Sequence, residues 1–70
     1  MSKLGEKLRV LREEQGLTTR QLGDILGVTG AHIVRIENGK KGPSVDLVAR
    51  ISRYFDVSAD LLIKDELELE

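Results

Sequence analysis

The stretch from Thr18 to Gly39, TTRQLGDILGVTGAHIVRIENG, decides the fold. Two start signals and two stop signals fall within it. Thr18 and Gln21 have the spacing of a capping box, in which the Thr hydroxyl accepts from the Gln21 amide and the Gln side chain reaches back. Leu22, Ile25 and Leu26 follow at i, i+3, i+4 and predict one apolar stripe of a helix. Gly27 is placed to end that helix, since a left-handed residue is a common helix exit and Gly adopts it without a Cβ clash. After a single residue, Val28, Thr29 caps a second helix with the apolar pair Ile33 and Ile36, and Gly39 is placed to end it.

A connection this short forces the two helices to cross steeply and touch. The residue at the touch must be small, and Gly23 stands mid-helix, where Gly is ~1 kcal/mol worse than Ala. A close crossing explains a glycine there. The spacing of Gly23, Gly27, Val28, Ile33 and Ile36 therefore describes a helix-turn-helix.

Working outward, Leu4, Leu8 and Leu11 recur at i, i+4, i+7 and predict a first helix over residues 3–15. Gly16 stops it, and Leu17 serves as a staple residue before the Thr18 cap. Downstream, a polar loop over residues 39–43 carries Lys40 and Lys41. Pro43-Ser44 restarts the chain, with Ser44 as cap and Val45, Val48, Ile51 and Phe55 at helical spacing. Asp56-Val57 breaks that helix, and Ser58 caps a last short one over residues 59–63, with Leu61 and Leu62 apolar. The remaining residues alternate acid and leucine, a weak strand pattern. The expected architecture is an all-α, compact five-helix domain over residues 1–63, followed at 64–70 by an acidic tail or the start of a linker.

Composition narrows the function. Seventy residues make one domain. With no cysteine, neither a disulfide framework nor a thiolate metal site is available. With 40% hydrophobic, 33% charged and 3% aromatic residues, the chain fits a soluble domain with an aliphatic core. No apolar run approaches the ~20 residues of a bilayer span, and no signal-peptide pattern opens the chain, so a cytoplasmic location is expected. The letters KDEL at residues 64–67 are internal and not a retention signal. A single histidine, no Gly-rich phosphate loop and no metal-ligand spacing argue against an enzyme, and no cofactor, metal or small-molecule substrate is expected. The net charge of −1 hides an asymmetry: residues 65–70 hold four acids (Asp65, Glu66, Glu68, Glu70) and no base. The first 64 residues carry 11 basic and 8 acidic groups, a net +3. A partner responds to the local field of one face, and Arg35, Lys40 and Lys41 gather at the end of the second helix of the pair.

These residues together resemble the λ repressor-like, Cro-type helix-turn-helix family of bacterial and phage transcriptional regulators. The resemblance covers roughly residues 4–62. It is carried by GLT at residues 16–18, QLGDILGVTGAHIVRIENGK at 21–40, PS at 43–44 and VSADLL at 57–62. In that family the second helix of the pair enters the DNA major groove, and dimers read half-sites about one helical turn apart. The resemblance implies double-stranded DNA as partner, with a recognition helix over residues 30–38 and base reading from Thr29, Gly30, Ala31, Val34 and Arg35. It implies phosphate contacts from Thr18, Thr19, Arg20, His32, Asn38, Lys40, Lys41 and Ser44. Arg12 and Glu37 match a structural ion pair between the first and third helices.

The matched positions depart from the family in two places. The first turn of the recognition helix holds Gly30 and Ala31 where Gln, Arg or Ser is common. Ala31 and Val34 can touch a thymine methyl but cannot hydrogen-bond a base, which leaves Arg35 as the residue able to grip guanine. The family's phosphate-binding Gln is Thr19 here, beside the free N–H groups of a helix start. With so few discriminating bonds per domain, specificity is expected from a homodimer, paired through Leu61, Leu62 and Ile63 of the last helix on a pseudo-palindromic site, acting as a repressor. The rival function is a protein-binding module on the same fold, such as an antitoxin-like or accessory regulator domain, which the near-apolar face favours. A third possibility is the N-terminal domain of a longer regulator.

Overall fold

The computed structural model describes residues 3–69. The chain forms α1 (Leu4–Glu14), α2 (Thr19–Leu26), α3 (Gly30–Glu37), α4 (Val45–Phe55) and α5 (Ala59–Ile63), with no strand among the described residues. Residues 64–69 of the acidic tail are coil and turn and make no strand; Glu70 lies outside the described residues. Local chemistry sets four of the five helix starts. Thr18, Thr29, Ser44 and Ser58 each accept a hydrogen bond from the amide three residues on: Gln21, His32, Leu47 and Leu61. Thr18 and Gln21 complete the reciprocal capping box. The stop after α2 is Gly27 at φ 79°, with its amide donating to the Gly23 carbonyl.

Close approach is paid in glycine. A Cβ on Gly23 would stand 2.6 Å from the Val28 carbonyl oxygen and 2.9 Å from the Thr29 carbonyl carbon, so the turn itself lies on α2 at that point. Gly30 faces back across the same crossing, where a Cβ would stand 3.0 Å from Arg20 Cα. Gly5 does the same for α1, whose start lies against the carbonyls of Ile36 and Glu37.

The core is aliphatic. α1 contributes Leu4, Leu8 and Leu11, α2 Leu22 and Leu26, α3 Ile33 and Ile36, α4 Leu47, Val48 and Ile51, and α5 Leu62. Three apolar residues depart from their expected places. Ile25 is 44% exposed. At about 100° per residue, the buried face of α2 is centred between Leu22, Leu26 and Gly23, and Ile25 lies about 110° away from that centre. Val45, in the first turn of α4, overhangs the core and is 88% exposed. Leu62 is fully buried (0% exposed), so it is a core residue and not part of a pairing surface. A one-turn helix directs one of its three consecutive apolar residues inward; Leu61 is left half-buried and Ile63 38% exposed.

Candidate nucleic-acid interface

α3 has two unlike sides. Ile33 and Ile36 are buried, and Glu37 is nearly so. Ala31, Val34, Arg35 and Asn38 are exposed, at i, i+3, i+4, i+7, and form one outward strip. α3 ends at Glu37 and Asn38 is its C-cap, so only the last residue of the expected 30–38 segment lies outside the helix. Thr29 is exposed at the start with its hydroxyl bonded to the His32 amide. Gly30 is half-buried against Arg20 and lies beside the strip, its Cβ position filled by α2. His32 is half-buried on the flank.

The surroundings of the strip are cationic. Arg20 on α2, Arg35 on α3, and Lys40 and Lys41 in the following loop are exposed and make no ion pair among the described residues. Other cations are committed to the fold. Arg12 Nε lies 2.7 Å from Glu37 Oε2 and Arg12 Nη2 lies 3.0 Å from Oε1, a two-pronged bond on a nearly buried carboxylate. The hydrogen bond to Glu37 raises the Arg12 pKa; desolvation opposes it, and the charges of Glu37 and Glu13 add to it. The guanidinium also donates to the Leu17 carbonyl (2.8 Å), so one residue ties α1, the α1–α2 turn and the end of α3 together. The α3 axis is thereby held from its C-terminal end.

Thr18 and Thr19 stand at the start of α2, and Ser44 at the start of α4, each with the first N–H groups of a helix at hand. Thr19 is half-buried; Thr18 and Ser44 are exposed, with hydroxyls used in capping.

Two positioning side chains have no local sequence signal. Arg50 Nη1 donates to the Leu26 carbonyl at 2.9 Å, closing the end of α2 from α4, while its Nη2 pairs with Asp46 at 2.9 Å. Lys7 is buried (6% exposed) and its Nζ donates to the carbonyls of Leu61 (2.6 Å) and Lys64 (2.9 Å). A charge–carbonyl bond made 24 or 54 residues away leaves no periodicity to read. A hollow of about 490 Å³ on the α2–α4 flank is lined by Ile25, Arg50, Arg53 and Tyr54 and includes no residue of α3.

Residues 3–62 match the model of a family described as a helix-turn-helix domain. The chain belongs to that family, which is one of transcriptional regulators and not of enzymes. It is 38% identical over 64 residues to an uncharacterized HTH-type transcriptional regulator of Archaeoglobus fulgidus, covering 90% of this chain and 91% of that one. It is 57% identical over 42 residues to the HTH-type transcriptional repressor RghR of Bacillus subtilis, covering 60% of this chain and 31% of the repressor. A putative HTH-type transcriptional regulatory protein of Pyrococcus furiosus is spanned over only 16% of its length, so several curated relatives are much longer than the part matched. Among solved structures, the P22 c2 repressor in complex with a synthetic operator superposes with a TM-score of 0.83 at 25% identity, over 90% of this chain and 96% of that one. The fold is that of the λ, 434 and P22 repressor-like DNA-binding domains.

Proposed function

We propose that this domain binds double-stranded DNA in a sequence-dependent way, with α3 in the major groove, and regulates transcription as a repressor in the cytoplasm. The observation that supports this best is the strip of Ala31, Val34, Arg35 and Asn38, with Arg35 and the neighbouring Arg20, Lys40 and Lys41 making no ion pair among the described residues. Arg35 is the guanine reader, and Ala31 and Val34 take thymine methyls. Gly30 supplies no side chain; it lets Arg20 and α2 lie close enough for both helices to meet the duplex. Thr29 reaches a base edge at the start of α3. Phosphates are held by Thr18, Thr19, Arg20, His32, Asn38, Lys40, Lys41 and Ser44, with the helix starts of α2 and α4 adding N–H groups. The solved complex of the P22 c2 repressor with its synthetic operator supports this mode by likeness of fold.

Few hydrogen-bonding readers per domain make pairing the natural source of specificity, because linking two weak contacts raises affinity through effective concentration. The pairing face lies on α4 and α5, where Val45 and Ile63 line an apolar groove of about 240 Å³ with Pro43, Val48, Ala49 and Ala59. Two such domains meet a pseudo-palindromic site. A protein-binding role on the same strip is the second reading, favoured by the 41% exposure of Val34. Selection from a random duplex pool, followed by a salt titration, separates the two. DNA reading gives an enriched sequence and a log affinity falling by about 0.9 per phosphate per log unit of salt. No enrichment and a flat slope favour the protein partner.

A further inference from the structure

We infer that residues 65–69 are a clasp that completes the folded unit and holds α5 in place, rather than a tail or linker. α1 differs from the other helices at its start. Its N-cap residue is Lys3, which makes no side-chain cap bond, whereas α2 to α5 carry Thr or Ser caps of their own. Asp65 serves a neighbouring donor at this start: the amide of Lys3 itself donates to Asp65 Oδ1 at 2.9 Å, as the N-cap amide of α2 donates to Gln21. A carboxylate at a helix start is also favoured by the helix dipole.

Lys7 acts one turn further along α1. Its ammonium donates to the carbonyls of Leu61 in α5 and of Lys64, the C-cap residue, so α5 is capped at its C-terminal end by α1. α5 has five residues, too few to be stable without tertiary contacts. Beyond it, Leu69 packs partly buried on the core. It lines two hollows on either side of itself, of about 210 Å³ beside Val10 and Lys7, and about 340 Å³ beside Leu11, Val57 and Leu61. Asp65, Lys7 and Leu69 are thus three fasteners on one seam between α1 and α5. Leu67, on the same segment, is 38% exposed and is not among the residues packed on the core.

Because α5 carries Ile63, the clasp also steadies the pairing face; that consequence rests on the function proposed above, while the test involves neither DNA nor a second copy. Amide hydrogen exchange is measured on the full chain and on full-length Leu69→Ser, Asp65→Asn and Leu67→Ser. The amides of Leu62 and Lys64 exchange about fivefold faster in Leu69→Ser. They are also faster in Asp65→Asn and unchanged in Leu67→Ser, while amides of α2 and α3 change less than those of α5 in every variant. Equal α5 exchange in wild type, Leu69→Ser and Asp65→Asn overturns the inference, as does an equal effect of Leu67→Ser.

Discussion

Arg12 and Glu37 grip each other through two bonds, 2.7 and 3.0 Å long, between the last turn of α1 and the end of α3. Glu37 is 5% exposed, so either partner left alone is a charge with little access to water. Glu37→Leu or Arg12→Leu is expected to destabilise by about 3 kcal/mol. Replacing both by apolar residues of similar size is expected to recover much of that. Denaturant unfolding of the singles and the double mutant checks it; additive losses would mean that the pair is not coupled.

Gly23→Ala tests the close crossing. Alanine is the better helix former, and on propensity alone the change stabilises. The Cβ would nonetheless stand 2.6 Å from the Val28 carbonyl oxygen. The expected outcome is a net loss of about 1–3 kcal/mol, read as a fall in Tm of several degrees. A raised Tm would place the turn away from Gly23.

The caps and stops of α2 and α3 were legible in the sequence because each is a bond between neighbours. Thr18 with Gln21, Thr29 with His32 and the glycine at 27 all act within four residues. Burial was less legible, since Ile25 and Leu62 depend on which way a short helix is rolled. Their spacing alone is compatible with either side facing in. Lys7 and Arg50 were illegible: a cation bonded to carbonyls 54 or 24 residues away has no pattern along the chain. At the candidate interface, the strip of Ala31, Val34, Arg35 and Asn38 followed from periodicity, whereas the packing of Gly30 on Arg20 needed the crossing geometry.

Arg35 and the loop lysines are expected to differ in kind. Arg35→Ala should lose about 1–3 kcal/mol on the selected duplex and relax preference at one guanine. Lys40→Ala with Lys41→Ala should weaken every duplex alike and reduce the salt slope by about 2. Fluorescence anisotropy across matched and single-mismatch duplexes measures both. A uniform loss for Arg35→Ala would make it a phosphate contact.

Pairing is tested on the exposed residues of its face. Val45→Asp with Ile63→Asp should leave the fold intact, given exposures of 88% and 38%, and should reduce binding to a duplex with two half-sites to that of one. Leu62→Glu is expected instead to unfold the domain, because Leu62 is a core residue. Sedimentation of the complexes gives the stoichiometry. Two domains per duplex with unchanged affinity in the double mutant would place the pairing elsewhere.

The most direct test of the DNA-reading role is amide chemical-shift mapping during titration with the selected duplex. If α3 reads DNA, the largest shifts fall on residues 29–31, 34 and 35, with a second group at the start of α2 and in the 40–44 loop. Small shifts there, with the largest on the α2–α4 flank around Ile25 and Tyr54 or on α1, would contradict it.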